Sequence, residues 1–212
     1  MTIPDHIRLI QVQRTPDALE EASSVLSGIE RERLVGFRSV ARRESFALGR
    51  HAARTLLGSA LACDPREVPL EVREDGSLDV PGTPWNLSIS HSGVRAAAAI
   101  SRAEIGIDLE HIRVRPESLF RFILHPDEME LRERVDLPMD RQIVLFWALK
   151  ESVLKAKRTG LRRSPKSLRL EIDLDQGSAL ISGERRWEAR FEIRDEHVLS
   201  VSWLADSESA SE

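Results

Sequence analysis

The chain has 212 residues, of which 41% are hydrophobic and 31% charged, the composition of a folded protein with one large domain or two small lobes. Its 31 basic and 35 acidic side chains give a net charge of −4, which argues against a protein that binds nucleic acid or anionic membranes. The single cysteine, Cys63, excludes an intrachain disulfide and a thiolate metal cluster. Since no segment approaches the roughly 18 consecutive apolar residues of a membrane span, and the first residues lack a leader pattern, we expect a cytoplasmic protein.

Periodic patterns predict the elements of the first half of the chain. An Arg- and Glu-rich stretch begins at Ser27, and from Arg43 to about Leu61 the apolar residues fall at helical spacing, which predicts a long amphipathic helix. Alternation then predicts strands over 68–72, 85–89 and 104–110, and the apolar run 96–100 predicts a buried strand. The first half is therefore expected to be a helix packed on a sheet.

The second half repeats this content of helix and strands. Helices are predicted over 116–133 and over 140–157, the latter capped by Asp140 and ended near Gly160, followed by strands at 168–172, 187–193 and 198–203. The predicted fold is α+β, with two similar lobes related by pseudo-twofold symmetry, each a small, mainly antiparallel sheet carrying a long helix. The predicted boundaries are 1–103 and 104–204 for the lobes and 205–212 for a disordered tail.

Two carboxylates stand two residues apart in the strand pattern 106–110. Asp108 and Glu110 therefore project from the same face of the strand. Neighbouring carboxylate oxygens suit a hard cation such as Mg²⁺. The alternative is a pair of exposed acids at the end of a strand.

The helix over 140–157 carries a second charged group. Glu151 lies four residues after Trp147 and four before Lys155, so the acid and the base share a helical face. An ordinary surface ion pair is the alternative. Lys150 has the apolar neighbours Trp147 and Leu154 on its side of the helix, where an unpaired ammonium is costly, so we expect an anion to meet it.

Two further patterns suggest contacts with phosphate. Ser90, His91 and Ser92 stand at a strand end before Gly93, and their hydroxyls, imidazole and backbone amides can seat a phosphate; a buried structural histidine is the alternative. The N-terminal helical region concentrates arginines that form either a solvated basic face or a set of bidentate phosphate ligands: Arg33, Arg42, Arg43 and Arg50.

The order of three motifs is more specific than any one of them. Ser-His-Ser at 90–92, Gly-Ile-Asp-Leu-Glu at 106–110 and Trp-Ala-Leu-Lys-Glu-Ser at 147–152 with Lys155 resemble the 4'-phosphopantetheinyl transferase superfamily. Length and motif spacing resemble its monomeric Sfp type, and residues 42–54 resemble the N-terminal motif of the siderophore-associated branch. The resemblance implies an enzyme that moves the phosphopantetheine arm of coenzyme A onto a serine of an acyl or peptidyl carrier protein.

The resemblance also implies a role for individual residues. The implied Mg²⁺ ligands are Asp108, Glu110 and Glu151, and the implied catalytic residues are Glu151 as the base with Lys155 and Lys150 near the pyrophosphate. The implied coenzyme A contacts are Arg33, Arg42 or Arg43, Arg50, Ser90, His91, Asp108, Lys150 and Lys155. The turn at 75–78 departs from the family pattern, because Asp75-Gly76-Ser77-Leu78 replaces Gly-Lys-Pro or Gly-Glu-Pro, and Arg73 is a candidate for the missing charge.

The expected partners are coenzyme A as substrate and an apo carrier protein of polyketide, nonribosomal peptide or fatty-acid synthesis. The expected docking segments are 120–129 and the basic loop 162–166, and the protein is expected to be a monomer.

The sequence also leaves two other functional classes open, a non-catalytic binding module for coenzyme A or another nucleotide and a metal-dependent phosphohydrolase. A binding module needs no base, whereas a phosphohydrolase uses the same carboxylates with water as the nucleophile.

Overall fold

The computed structural model describes residues 1–205, without the side chain of Leu161. The predicted tail therefore lies, apart from Ala205, outside the described residues. The chain forms two compact units, one of Asp5–Arg102 and the other of Met1–Pro4 together with the residues from Ala103 onward. No helix within residues 1–205 combines the length and the apolar character that a bilayer crossing requires.

The unit of Asp5–Arg102 is a long helix on a three-stranded antiparallel sheet of order β1-β5-β4. Apolar residues of the helix pack on the sheet, with Ala53 and Leu57 in one buried cluster with Leu87 and Ile100. The elements are β1 Arg8–Gln13, α1 Pro16–Val25, α2 Gly28–Val35, α3 Val40–Leu61, a 3-10 turn Pro65–Glu67, the hairpin β2 Glu71–Val72 and β3 Leu78–Asp79, β4 Asn86–Ser92 and β5 Arg95–Ser101.

Side-chain caps fix where the helices of this unit begin. Ser27 and Glu30 form a capping box at α2, in which the Ser27 hydroxyl accepts from the Glu30 amide and the Glu30 carboxylate accepts from the Ser27 amide. Ser39 caps α3 by accepting from the amide of Arg42. The capping box also holds Glu30 in its buried position.

The second unit is a helix on a five-stranded antiparallel sheet of order β6-β10-β9-β8-β7. Its main helix buries Phe146, Leu149 and Val153 in one cluster with Trp187 and Phe191 of the sheet. The elements are β6 Ile105–His111, α4 Phe120–Ile123, α5 Leu131–Arg134, α6 Met139–Ala156, β7 Arg169–Asp173, β8 Ser178–Ser182, β9 Arg186–Arg194 and β10 His197–Leu204, with 3-10 turns at Glu117–Leu119, Pro126–Glu128, Gly160–Arg162 and Pro165–Ser167.

The α+β fold class is confirmed, since each unit carries a long helix on an antiparallel sheet. Several elements differ from the prediction. The helix over 116–133 is instead α4, α5 and two 3-10 turns, because Leu124 is extended and Pro126 begins a separate turn capped by His125. The strand over 68–72 shrinks to Glu71–Val72, and β1, α1 and β8 were not predicted.

The start of α6 also corrects a prediction. Pro138 occupies the N-cap position without a side-chain hydrogen bond. Asp140, the predicted cap, lies inside the helix, and its Oδ1 accepts from the backbone amide of Arg115 at 3.0 Å. Asp140 therefore fastens the chain after β6 to the first turn of α6.

Candidate active site

A close approach of α6 to β6 creates the site in the second unit. A Cβ at Gly106 would lie 1.8 Å from the backbone oxygen of Ser152, so that only glycine allows the helix to lie this near the strand. The Ser152 hydroxyl also lies 2.5 Å from that of Ser202 in β10. Because side chains alternate along β6, Asp108 and Glu110 share the face of Gly106 and project toward α6.

Side chains of α6 meet these two carboxylates. Lys155 Nζ donates to Asp108 Oδ1 at 2.6 Å, and Trp147 Nε1 donates to Glu110 Oε1 at 3.2 Å. Glu151 lies between Trp147 and Lys155 on the same helical face, one turn from each. The structure thus brings together Asp108, Glu110, Glu151 and Lys155, four residues that the sequence singled out.

Burial and like charge raise the pKa values of Glu110 and Glu151. Burial, followed by the negative charge of Asp108, raises the pKa of Glu151, and Lys155 opposes the shift. The same two causes raise the pKa of Glu110, against the hydrogen bond from Trp147 and the charges of Lys155 and Arg115. The Oε1 atom of Glu151 is buried and has no hydrogen-bond partner within residues 1–205. Unused acceptor capacity and carboxylate repulsion together favour binding of a cation here.

The predicted Mg²⁺ ligands fit such a cation by their chemistry. All three are carboxylates, the oxygen donors that Mg²⁺ prefers, and a divalent charge would offset the repulsion that Asp108 exerts on Glu110 and Glu151. Within the described part of the chain, no group of three or more His, Cys, Asp or Glu side chains is already arranged as a metal-ligand set. The ligand assignment therefore stays a prediction.

Lys150 is not part of this cluster, which corrects its predicted place at the pyrophosphate. Its side chain is 0% exposed, and Nζ donates to Glu128 Oε2 at 2.6 Å, to the oxygen of Leu168 at 2.9 Å and to that of Ile123 at 3.0 Å. An ammonium has three donors, and all three are used. The expected anion does meet Lys150, but it is Glu128 of the same unit.

An apolar pocket of about 270 Å³ lies beside Glu110. One wall is formed by Trp147 and Phe122, whose rings stack with centroids 6.1 Å apart. Phe122 is half exposed, whereas Phe120, Ile123 and Leu124 of the predicted docking segment 120–129 are buried. The pocket is lined by Glu110, Arg115, Leu119, Phe122, Ile123, Ile143, Val144 and Trp147.

The other unit carries the predicted phosphate contacts. Alternation along β4 places His91 on the face toward α3, where a Cβ at Gly49 would lie 3.9 Å from His91 Cδ2. Ser90 is buried on the opposite face of β4. His91 itself is exposed, which excludes the alternative of a buried structural histidine.

Arg50 of α3 is buried with spare hydrogen-bonding capacity. Its Nε lies 3.3 Å from Glu30 Oε1 in an ion pair, and its guanidinium lies 4.9 Å from the centre of the Phe46 ring. Desolvation lowers the pKa of Arg50 to about 10, although Glu30 opposes the shift. Two of its nitrogens, Nε and Nη1, form no hydrogen bond within residues 1–205. Buried donors of this kind are available to an anionic ligand.

The other predicted arginines lie at the surface around two phenylalanines. Arg42 is exposed, 4.8 Å from the Phe37 ring, and Arg33 is exposed, 5.8 Å from the Phe46 ring. Arg43 instead donates to the backbone oxygen of Phe37 at 2.7 Å. This favours Arg42 over Arg43 as the arginine that can reach a ligand.

Arg54 is a residue that the sequence reasoning missed. It is 1% exposed and donates to Glu30 Oε2 at 2.8 Å and to the backbone oxygens of Pro65, Arg66 and Val68. Its position four residues after Arg50 on the same helical face was the available signal. Arg73, the candidate for the missing charge near the turn at Gly76, is paired with Asp79 at 2.6 Å.

The segment that carries the carboxylates and Lys155 matches a known family. Residues 104–202 match a family model described as the 4'-phosphopantetheinyl transferase superfamily. A phosphopantetheinyl transferase of Thraustochytrium sp. is 30% identical over 198 residues, which cover 82% of this chain and 68% of that protein. The chain belongs to the 4'-phosphopantetheinyl transferase superfamily.

Other members of this superfamily are similarly distant. The 4'-phosphopantetheinyl transferase HetI of Nostoc sp. is 29% identical over 167 residues, covering 74% of this chain and 70% of HetI. The transferase Sfp of Bacillus subtilis is 31% identical over 152 residues, covering 64% and 67%. Among solved structures, a Thermotoga maritima holo-[acyl-carrier-protein] synthase aligns over 49% of this chain and 64% of its own, with 21% identity and a TM-score of 0.42. The family predicted from the three motifs is confirmed.

Proposed function

We propose that this superfamily member transfers the 4'-phosphopantetheine of coenzyme A to a serine hydroxyl of an acyl or peptidyl carrier protein and releases 3',5'-ADP. The observation that carries the proposal is the convergence of Asp108, Glu110, Glu151 and Lys155 within the residues that match the family model. Carboxylates beside an ammonium suit phosphoryl transfer, in which positioning and charge stabilisation dominate.

The reaction forms a bond from the serine oxygen to phosphorus and breaks the bond from that phosphorus to the bridging oxygen of the pyrophosphate. Glu151 accepts the serine proton, directly or through a water, and its raised pKa makes it a stronger base than an ordinary carboxylate. Lys155 stabilises the negative charge that develops on the departing 3',5'-ADP. Asp108, paired with Lys155, orients that ammonium.

We propose that Asp108, Glu110 and Glu151 hold one Mg²⁺ ion. When bound, the ion supplies charge neutralisation and polarisation of the pyrophosphate oxygens. Trp147 orients Glu110 through the indole hydrogen bond. The support for this ligand set is the buried Oε1 of Glu151, which has no hydrogen-bond partner within residues 1–205, and the pKa values of Glu110 and Glu151, raised by burial and then by neighbouring negative charge.

Each unit, taken by itself, carries candidate contacts for further parts of coenzyme A. Arg50 is the best supported phosphate contact, because two of its buried nitrogens make no hydrogen bond to residues 1–205. Arg33, Arg42 and His91 are exposed and extend this basic set, whereas Ser90 is buried. The apolar pocket beside Glu110 suits the methyl groups and methylenes of the pantetheine arm.

One assay separates this proposal from its alternatives. The chain is incubated with coenzyme A, Mg²⁺ and a panel of apo carriers of fatty-acid, polyketide and nonribosomal peptide synthesis, and each carrier is then weighed by mass spectrometry. A gain of one phosphopantetheine supports transfer. Free phosphopantetheine without a carrier adduct supports a phosphohydrolase, and binding of coenzyme A without reaction supports a binding module. The panel also identifies the preferred carrier.

Two further properties complete the proposal. We propose that the enzyme acts in the cytoplasm and as a monomer; the monomer is supported by a carboxylate cluster whose residues all come from one unit of one chain. Light scattering during size-exclusion chromatography measures the mass in solution. A particle of twice the chain mass at assay concentration contradicts the monomer.

A further inference from the structure

The buried ion pair of Lys150 and Glu128 joins three separate stretches of the second unit. From α6, Lys150 Nζ reaches Glu128 and the backbone oxygens of Ile123 and Leu168. The Glu128 carboxylate in turn accepts from the backbone amide of His125 at 2.8 Å and from that of Leu170 at 2.8 Å. Five hydrogen bonds thus converge on one ion pair that is 0% exposed at Lys150 and 5% at Glu128.

The stretch held in this way forms a wall of the apolar pocket. Ile123, whose oxygen accepts from Lys150, lines the pocket together with Phe122. Phe122 stacks on Trp147, and Trp147 donates to Glu110. The ion pair therefore lies at one end of a chain of contacts that ends on a carboxylate of the candidate active site.

Net stability does not account well for such a pair. Removing two charges from water is costly, and apolar replacements of similar volume are often as stable. Some other Arg and Lys residues of this unit pair with exposed carboxylates, such as Lys157 with Glu184. A buried pair with complete hydrogen bonding instead fixes one arrangement of the segments that it joins.

We propose that Lys150, acting through Glu128, is a positioning residue that fixes the wall 122–123 of the pocket against α6 and thereby sets the affinity for the pantetheine arm of coenzyme A. This inference rests on the proposed function only in the identity of the ligand. The nucleotide half of coenzyme A does not depend on this wall. The ligand 3',5'-ADP, which lacks the arm, is therefore the internal control.

The test compares binding of two ligands to Lys150→Met and to the double variant Lys150→Met/Glu128→Gln. The double variant leaves no uncompensated charge and is the one that remains informative if the single variant does not fold. Lys157→Met, which removes a lysine just after α6 whose partner Glu184 is exposed, is the matched control. Isothermal titration calorimetry gives both dissociation constants, and hydrogen exchange reports on residues 120–128 and 168–170.

We expect the dissociation constant for coenzyme A to rise about tenfold or more in both Lys150 variants, with that for 3',5'-ADP unchanged. Amide exchange should quicken in 120–128 and 168–170 and stay as in the wild type after Lys157→Met. Unchanged coenzyme A affinity overturns the proposal, as does an equal loss for both ligands. If the wild type binds coenzyme A but transfers nothing, the proposed function fails while these affinities still decide the role of Lys150.

Discussion

The two long helices, α3 and α6, can be compared because each buries two charged side chains. Arg54 of α3 and Lys150 of α6 each donate to one carboxylate and to backbone carbonyls. Neither keeps a buried nitrogen without a hydrogen bond within residues 1–205, and we call such a charge saturated. Arg50, one turn before Arg54, and Glu151, the residue after Lys150, are also buried but keep polar atoms without hydrogen bonds to residues 1–205. Each helix thus pairs a saturated charge with an unsaturated one.

This difference separates structural charges from functional ones. A buried charge whose donors are all used contributes to folding, and its removal leaves a partner uncompensated. A buried charge with unused capacity costs stability in the ligand-free protein, and binding of a ligand recovers that cost. The comparison therefore predicts opposite phenotypes for neighbouring residues on the same helix.

The largest effect is expected at Glu151 and Lys155. Glu151→Gln and Lys155→Ala should each lower the turnover number about 10²- to 10⁴-fold, because the base or the leaving-group charge is lost. Both proteins should remain folded by circular dichroism. Glu184→Gln, which removes an exposed acid of the same unit, is the control and should retain its turnover. Near wild-type transfer by either active-site variant would remove that residue from the mechanism.

The next effect sharpens the contrast within α3. Arg54→Ala should lower the free energy of unfolding by about 3 kcal/mol, because three backbone oxygens and Glu30 lose a buried donor. Arg50→Ala should cost less than about 1 kcal/mol, because its guanidinium is incompletely bonded and desolvated.

Urea unfolding measures the free energy of unfolding of both variants, and isothermal titration calorimetry measures their affinity for coenzyme A. Arg50→Ala should weaken binding of coenzyme A about tenfold or more through loss of a charged phosphate contact, whereas any Arg54→Ala protein that remains folded should bind it normally. The reverse order, with Arg50 the stabilising residue and Arg54 the binding one, would contradict the distinction between saturated and unsaturated charges.

The sequence predicted the cluster in α6 and β6 because it depends on local periodicity. A spacing of two in a strand and of four in a helix puts Asp108 beside Glu110 and Glu151 beside Lys155. The partner of Lys150 could not be found in this way. Helical spacing showed that an anion must meet it, but Glu128 lies 22 residues earlier in the chain and reaches Lys150 only through the tertiary fold.

The elements that were missed or mistaken lack a strong periodic signal. The stretch 116–133 has helical composition, yet Pro126 and the capping box of His125 and Glu128 divide it into short helices and turns. In this arrangement Glu128 contacts Lys150. Strand β8 has only five residues, and its position in the sheet is set by pairing with β7 and β9. A proline and a local cap determine the first feature, and tertiary pairing determines the second.

A smaller effect is expected at Trp147, where an aromatic side chain supports an unsaturated site. Trp147→Phe keeps a ring against Phe122 but removes the donor to Glu110. Binding of Mg²⁺ should weaken by about 1 kcal/mol, roughly a fivefold change in its dissociation constant. Titration with Mn²⁺ in place of Mg²⁺, followed by electron paramagnetic resonance, measures the change in metal affinity. Trp85→Phe, in the other unit, is the control, and equal metal affinity of all three proteins would exclude the positioning role.

The smallest effect concerns the stability of the metal-free protein as a function of pH. The folded-state pKa of Glu151 lies above its ordinary value of 4.5, chiefly because of burial and then Asp108. The contribution of Glu151 to the stability of the folded protein is therefore complete below pH 4.5, and it is lost as the pH rises through the folded-state pKa. In EDTA, Glu151→Gln should thus be more stable than the wild type at pH 7, by about 1 kcal/mol, and the difference should disappear in acid.

Because Mg²⁺ binding recovers the cost of the unsaturated carboxylate, Mg²⁺ should stabilise the wild type and close this gap while leaving the variant almost unchanged. Urea unfolding at pH 4 to 8 with and without Mg²⁺ tests both statements. A wild type that is the more stable protein in EDTA at pH 7 would place Glu151 with the saturated, structural charges.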